Sequence, residues 1–389
     1  MKPLSNYLPH FTESIIRRMT RIANDCGAIN LSQGFPDFDP PDELKNALIE
    51  AANEGPHQYE VTWGSKLFRD ALAAKQSKFM GVSINPDTEI VVTCGSTEAM
   101  MVAMMTICNP NDKVIVFSPF YENYVADTIL SGAEPIYVSL TPPNFNFDKE
   151  ALVQAFEQNP KAIILCNPAN PTGKVFTLEE LQFIADLAKK HDTYVITDEV
   201  YEHIVFSPYK HEYFASIPEM FERTISCGSL SKTYSITGWR LGYIIAPAFI
   251  IQEARKIHDF LTVGAAAPLQ RAALAGLNLP DAYYDTLQHK YQEKRDLFLK
   301  GLDDAGLTYT IPQGGYYVMV DISEFTDKSD IEFCEWMARE VGVAAVPGSS
   351  FFREDVHHFI RFHFAKNNET LIAALERLKT LREKAKSSF

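Results

Sequence analysis

The chain has 389 residues, of which 46% are hydrophobic and 22% are charged. These are ordinary values for a globular protein, and the length suffices for one large domain with a smaller one attached. The formal net charge of −14 argues against sequence-independent binding to nucleic acid or an anionic membrane, and no uncharged run approaches the ~18 residues that span a bilayer.

The N-terminal stretch has no apolar signal core, which predicts a cytoplasmic protein. Short β-rich runs then alternate with helical patterns. The predicted strands are 89–94, 113–117, 135–139, 162–166, 194–197, 224–227 and 243–246. The predicted helices between them are 96–108, 121–131, 178–191 and 249–261. This alternation predicts an α/β fold with a mostly parallel, seven-stranded sheet and helices on both faces.

The pattern changes after Pro280. A long polar helix, a set of short strands and two further helices are predicted there: helix 282–304, strands 308–311 and 316–321, a helix near 330–341, a strand at 359–364 and a terminal helix. We therefore predict a large domain over 45–280 and a smaller α+β domain over 281–389, which an N-terminal arm over 1–44 completes.

Cysteine and histidine spacing give no sign of a disulfide framework or a metal site. The six cysteines lie at positions 26, 94, 108, 166, 227 and 334, without a CxxC pair. They are typical of free thiols in a cytosolic protein. The ten histidines include no HExxH spacing, so no metal is predicted.

Lys232 lies in the segment GSLSKTYSITGWRLGY, between hydroxyl residues and eight positions before Arg240. A lysine amine can form a Schiff base with an aldehyde cofactor, while hydroxyls and a guanidinium bind its phosphate. Taken alone, the segment could equally be a solvated turn with surface charges, because it is not a P-loop.

Polar residues follow several predicted strands, at the edge where open α/β sheets bind ligands. Asp198 ends one strand, and a carboxylate there can keep a pyridinium nitrogen protonated, with Tyr201 close enough to reach the ring's phenolic oxygen. Alone, the Asp-Glu pair could also be an ordinary helix start. Another strand leads into the segment NPANPTG, which contains Asn167 and Asn170. Only one of these two asparagines need face a ligand. Alternatively, the segment is a turn that binds no ligand.

A third strand leads into Gly95, Ser96 and Thr97 at the start of an apolar helix. Backbone amides and hydroxyls at such a start can bind an anion. The alternative is an ordinary Ser/Thr helix cap.

In combination, these segments resemble the class I and II aminotransferases, pyridoxal 5′-phosphate enzymes of fold type I, along nearly the whole chain. SLSKTYSITGWRLGY, NPANPTGKVF, DEVYEH and FIRFHFA match that family's motifs in order and spacing. NLSQGFPDFDPPDEL and YEVTWGSKLFRDAL look most like the branch that holds kynurenine, methionine and glutamine aminotransferases.

The resemblance implies a role for each matching residue around the cofactor. Lys232 would be the Schiff-base lysine and the acid/base, Asp198 would bind the pyridine nitrogen, and Tyr201 and Asn170 would contact the phenolic oxygen. Tyr121 would stack on the ring. The phosphate would be bound by Gly95, Ser96, Thr97, Ser229 and Arg240.

The resemblance also implies how the substrate is bound and how the protein assembles. Arg361 would bind the substrate α-carboxylate through a two-pronged contact, with the backbone of Gly34 beside it and Phe35 in the wall. Tyr59 would reach the phosphate in the neighbouring subunit, so we expect a homodimer with shared active sites.

The implied reaction is a ping-pong transfer of an amino group to a 2-oxo acid such as 2-oxoglutarate. No confident match exists to a second arginine for a side-chain carboxylate, which favours neutral donors: methionine, glutamine, aromatic amino acids or kynurenine. Two departures are Cys166, where the branch often has asparagine, and the small residues of 263–268, where it tends to be aromatic.

The alternatives are an aspartate-type aminotransferase, a C–S β-lyase on the same fold, and a non-enzymatic regulator built on an aminotransferase-like domain. Such regulators usually carry an added DNA-binding segment, for which this chain has neither the spare length nor the basic charge.

Overall fold

A computed structural model describes residues 2–386, and the last three residues of the predicted small domain lie outside that range. Its helices are Ile15–Cys26, Asp42–Glu54, Lys66–Met80, Ser96–Ile107, Asn123–Leu130, Lys149–Phe156, Leu178–Lys190, Ala248–Thr262, Ala267–Leu277, Ala282–Asp304, Asp330–Trp336, Asn368–Leu378 and Leu381–Ala385. A single π-helical segment, Met337–Val341, continues the helix that begins at Asp330.

An eight-stranded sheet forms the centre of the described chain. In spatial order its strands are Ile90–Thr93, Gly242–Ile245, Thr224–Ser229, Tyr194–Asp198, Ala162–Cys166, Lys113–Ser118, Glu134–Thr141 and Asn146–Phe147. Four neighbouring pairs are parallel, and Gly242–Ile245 runs against both of its neighbours. The predicted mostly parallel sheet is confirmed, with a two-residue eighth strand at one edge that the sequence does not predict.

The central strands are apolar runs because helices cover both faces of the sheet, so that neither face needs polar side chains. The strand Ile90–Thr93 is buried at every position. Polar residues occur where a helix begins, because they can bond its free amides. Thr177 and Glu180 form a reciprocal capping box at the start of Leu178–Lys190, which satisfies two amides that the helix cannot.

A smaller antiparallel sheet lies in the C-terminal part of the chain, in the order Thr308–Tyr309, Tyr317–Asp321, Phe359–His363, Val346–Pro347. The short strand Ile29–Asn30 pairs in parallel with Val343–Ala344, so N-terminal chain contributes to this region. The domain boundaries after residues 44 and 280 stay a prediction.

Several helices depart from the sequence prediction. The helices absent from that prediction are Ile15–Cys26, Asp42–Glu54, Lys66–Met80, Lys149–Phe156 and Ala267–Leu277, and the last of these begins inside the stretch 263–268. Pro268 lies in its first turn, where the missing N–H costs no hydrogen bond. No helix between residues 2 and 386 combines the length and apolar character needed to cross a membrane.

Candidate active site

A cavity of about 880 Å³ opens where three strands of the large sheet end: the edge strand Ile90–Thr93 and the inner strands Tyr194–Asp198 and Thr224–Ser229. Side chains of the small antiparallel sheet close it from the other side. The predicted site residues that line it are Gly34, Phe35, Ser96, Thr97, Tyr121, Asn170, Asp198, Tyr201, Ser229, Lys232, Arg240 and Arg361. These residues are distant in sequence, and sheet topology brings them together.

Lys232 is partly buried in this cavity, and its Nζ donates to the carbonyl oxygen of Gly34 at 3.3 Å. Burial lowers the pKa of the ammonium to about 8, and the positive charges of Arg240 and Arg361 act in the same direction, while Asp198 opposes them. The amine can therefore lose its proton near neutral pH, as a general base must.

Asp198 ends its strand as a buried carboxylate. The Tyr124 hydroxyl donates to its Oδ2 at 2.7 Å, and the Val200 amide donates weakly to Oδ1 at 3.4 Å. Burial raises the pKa of Asp198, whereas the hydrogen bond from Tyr124 lowers it. No cationic side chain within residues 2–386 forms an ion pair with Asp198, so the site accommodates a cationic group from a ligand.

The sequence left open which of Asn167 and Asn170 faces a ligand, and the positions of their side chains answer this question. Asn167 is used structurally, since its Oδ1 accepts from the Phe176 amide at 3.1 Å. Asn170 lines the cavity and its Oδ1 accepts from Arg361 Nη1 at 2.7 Å. Tyr201 also faces this region, where its hydroxyl donates to that of Tyr317 at 3.1 Å.

The opposite end of the cavity is shaped for an anion. Gly95 has φ +84°, and a Cβ there would lie 2.3 Å from Arg240 Nη2, so only glycine lets the backbone approach the guanidinium this closely. The helix Ser96–Ile107 starts at this point without a side-chain cap, which leaves its first amides free for a ligand. Ser229 lies beside them in the lining.

Arg361 is only 1% exposed, although it carries a guanidinium. Its Nη2 donates to the Ser32 carbonyl at 3.0 Å, and the group lies 4.2 Å from the ring centroid of Tyr317. Its Nε has no hydrogen-bond partner, and no carboxylate among the described residues pairs with it. A buried guanidinium held only by neutral acceptors is arranged for a carboxylate from outside the chain.

Tyr59 and Cys166 do not reach the cavity. Tyr59 is 89% exposed and lies with 263–268 around a separate cavity of about 450 Å³. Cys166 lies behind the wall, where its thiol donates to the Pro168 carbonyl at 3.3 Å. The substitution of asparagine by cysteine at 166 therefore does not alter a side chain that lines the cavity. Gly95 is not among the lining residues, although its neighbours Cys94 and Ser96 are.

Sequence reasoning missed several residues of the site. The site residues that the sequence did not indicate are Arg17, Tyr124, Asp127, Ser231 and Tyr317. For Tyr124 a signal existed, because it follows Tyr121 by three residues and so shares its side of a helical turn. For Arg17 none existed, since its place depends on how the N-terminal helix packs.

Comparison with known proteins decides the family, since the model for "Aminotransferase class I and II" matches residues 27–378. The chain belongs to the class I and II aminotransferases. These enzymes depend on pyridoxal phosphate and share fold type I, so the predicted family, fold type, enzyme class and cofactor are confirmed.

Individual relatives are similar to this aminotransferase along nearly the whole length of its chain. A methionine aminotransferase from Escherichia coli is 37% identical over 375 residues, which cover 96% of this chain and 97% of that enzyme. A kynurenine–oxoglutarate transaminase from Dictyostelium discoideum is 35% identical, with 96% and 95% covered. A solved Escherichia coli structure with a reported methionine aminotransferase function has a TM-score of 0.94 at 36% identity, with 98% and 100% covered.

The cavity of this aminotransferase fits pyridoxal phosphate by its own geometry. The unpaired buried carboxylate of Asp198 suits a protonated ring nitrogen, and the close approach of Gly95 to Arg240 at a helix start suits a phosphate. Lys232, between these two ends, has an amine whose pKa is low enough to react with an aldehyde near neutral pH.

Proposed function

We propose that the enzyme moves the amino group of a neutral amino acid, such as methionine, glutamine, kynurenine or an aromatic amino acid, to a 2-oxo acid such as 2-oxoglutarate. The observation that carries this proposal is Arg361, a buried guanidinium without a carboxylate partner among the described residues, in the same cavity as Lys232. The relatives that act on methionine and kynurenine support the choice of neutral donors.

Each side chain then has a defined task. Pyridoxal phosphate, when bound, supplies an electron sink that makes the substrate Cα–H acidic. Asp198 keeps the ring nitrogen protonated, Tyr201 and Asn170 donate to the phenolic oxygen, and Tyr121 packs against the ring. The phosphate is bound by Ser96, Thr97, Ser229, Arg240 and the backbone at Gly95.

The substrate is oriented from the other side of the cavity. Arg361 binds the α-carboxylate that every amino acid carries, next to the Gly34 backbone, and so places Cα near Lys232. With the cofactor bound, the lysine would accept the Cα proton and then donate a proton to C4′ of the cofactor. Donor and acceptor use the same cavity in turn, which gives ping-pong kinetics.

Arg361→Ala is expected to lower kcat/KM for every amino donor by a similar factor, because the α-carboxylate is common to all of them. Loss of a charge-assisted, bidentate contact costs about 2–3 kcal/mol, or roughly 30- to 160-fold. Arg361→Lys should recover only part of the loss, since a lysine cannot form the two-pronged contact. The measurement is a panel of donors with 2-oxoglutarate and pyruvate as acceptors and with detection of the oxo acid formed.

The same panel separates the alternative functions. A kcat/KM for aspartate about a thousandfold above those for methionine and phenylalanine would refute the proposed neutral donors, since apolar walls alone discriminate only about 10–200-fold. Oxo acid released together with ammonia in the absence of an acceptor would instead indicate a C–S β-lyase.

We also propose a cytoplasmic homodimer in which Tyr59 completes the phosphate site of the partner subunit. Tyr59 is too exposed to serve the cavity of its own chain, and other large apolar side chains of the described residues are exposed as well, among them Phe260 at 90% and Leu67 at 68%. Surface of this kind is typical of a subunit interface. The free cysteines of the described chain suit a reducing compartment.

Mixed dimers test the shared site. Tyr59→Ala and Lys232→Ala are each expected to be impaired, but a heterodimer of the two contains one site with neither change. Random reassociation should therefore restore roughly a quarter of wild-type activity per subunit. A mixture no more active than its components, with heterodimers shown by differently tagged chains, would mean that Tyr59 serves its own subunit.

A further inference from the structure

We propose that Arg17 binds the second carboxylate of a dicarboxylic 2-oxo acid, and so lets a site for neutral donors also accept an acidic co-substrate. This inference rests on the proposed function, which requires one cavity to bind two chemically different side chains in turn. The contact between Arg361 and the α-carboxylate cannot distinguish the two substrates, because both carry the same α-carboxylate.

Arg17 is the cation of the cavity that has no other task. Among the described residues that line it, the cationic side chains are Arg17, Lys232, Arg240 and Arg361. The last three are assigned to the amino group, the phosphate and the α-carboxylate. Arg17 is exposed and, within residues 2–386, forms neither an ion pair nor a side-chain hydrogen bond. Its guanidinium is available to a ligand.

The packing of the helix Ile15–Cys26 places Arg17 over the substrate end of the cavity. Thr20, three residues after Arg17 and so on the same side of the helix, donates from Oγ1 to Gln33 Oε1 at 3.1 Å. Gln33 lies between Ser32, which accepts from Arg361, and Gly34, which accepts from Lys232. Arg17 and Gln33 both line the cavity, so Arg17 lies on the same side of it as the two backbone carbonyls that contact Arg361 and Lys232.

A second contact holds the start of this helix to the other side of the cavity. The Ser14 hydroxyl donates to Glu122 Oε1 at 2.7 Å, and both residues line the cavity next to Tyr121. Glu122 is an acidic residue of the cavity lining, and it forms no ion pair with Arg17. Without Arg17, its charge would repel a substrate that carries a second carboxylate.

The energetic consequence differs between the two substrates. The binding free energy of a substrate with a neutral side chain changes little, because the exposed guanidinium of Arg17 remains hydrated beside it. A distal carboxylate gains a charge-assisted contact, which solvent at the mouth weakens, so that we expect an effect of about tenfold rather than the larger effect of a buried pair.

Two unreactive five-carbon acids test this directly on the cofactor-loaded enzyme. Glutarate carries the second carboxylate and pentanoate lacks it, so the ratio of their dissociation constants, measured by titration calorimetry, isolates the distal group. We expect the wild type to prefer glutarate. Arg17→Ala should weaken glutarate about tenfold while pentanoate changes less than about twofold, and Arg17→Lys should be intermediate.

Arg21→Ala is the matched control. Arg21 lies one turn further along the same helix, pairs with Glu13 and does not line the cavity, so its loss removes the same charge from the helix without removing it from the site. Both dissociation constants should stay at wild-type values. Glu122→Gln should tighten glutarate, because it removes the opposing charge.

The proposal is overturned if the wild type does not prefer glutarate, if Arg17→Ala weakens both acids equally, or if Arg21→Ala reproduces the effect. These titrations involve no turnover, so they are independent of which amino donor the enzyme prefers. An enzyme that failed the donor panel but kept the Arg17-dependent preference for glutarate would have another donor and the same acceptor site.

Discussion

Lys232→Ala is expected to lower turnover by at least about a thousandfold, because one side chain supplies both the covalent attachment of the cofactor and the proton transfer at Cα. Noncovalent binding of pyridoxal phosphate should persist, though weakened, since Arg240, the helix start at Ser96 and Asp198 remain in place. Steady-state kinetics and a cofactor titration measure the two effects separately.

Two further observations tie the effect to the amine of Lys232. Borohydride treatment of the loaded wild type should leave the mass of the cofactor on the peptide that contains this residue. Lys232→Arg should be as inactive as the alanine variant, since a guanidinium keeps its proton and cannot act as a base. Lys256→Ala, a change on the exposed face of another helix, should turn over normally. A Lys232→Ala enzyme that still worked would refute the assignment.

The fold was predictable where one pattern dominates the local sequence. The strand Ala162–Cys166 and the helix Ala282–Asp304 have the bounds that the sequence predicts, because the first is an uninterrupted apolar run and the second a long polar one between Pro280 and a short strand. Ends of the other central strands shift by one or two residues, as hydrogen bonding to neighbours extends or shortens them.

The helix Lys66–Met80 shows why other elements were missed. Its buried side includes Phe68 and Leu72, but also Arg69 and Gln76. Arg69 donates to the Pro86 carbonyl and Gln76 donates to the Tyr243 hydroxyl, so these polar residues are satisfied by partners 17 and 167 positions away. The apolar stripe that would reveal the helix is therefore interrupted in the sequence.

The residues of the candidate site likewise include some that the sequence reveals and some that it does not. Lys232, Asp198 and Arg361 stand in motifs that local sequence can reveal, although their roles remain proposals. The position of Tyr124 could be anticipated from Tyr121, but its contact with Asp198 could not, and Arg17 gave no sequence signal, because what both residues do depends on partners far along the chain. Tyr124 contacts a carboxylate 74 residues away, and Arg17 reaches the cavity only through helix packing.

Asp198→Asn should lower kcat by roughly a hundredfold to a thousandfold, and cofactor affinity much less. The carboxylate stabilises a positive charge on the ring nitrogen, and that charge matters most when electrons flow into the ring during Cα–H cleavage. An amide of the same shape keeps the Tyr124 contact and the packing but cannot hold the proton. Single-turnover kinetics with one amino donor would separate this chemical step from product release.

Tyr124→Phe provides a graded test of the same carboxylate. Burial raises the pKa of Asp198 and the Tyr124 hydroxyl lowers it, so removing the hydroxyl raises it further. A carboxyl with a raised pKa loses its charge earlier as pH falls, and the acid limb of the rate profile should therefore move to higher pH, with little change at the alkaline side. The Asp198→Asn enzyme has no carboxyl to titrate and should lack that limb altogether. Wild-type rates for Asp198→Asn, or an acid limb that is the same in all three enzymes, would show that the ring nitrogen finds its partner elsewhere.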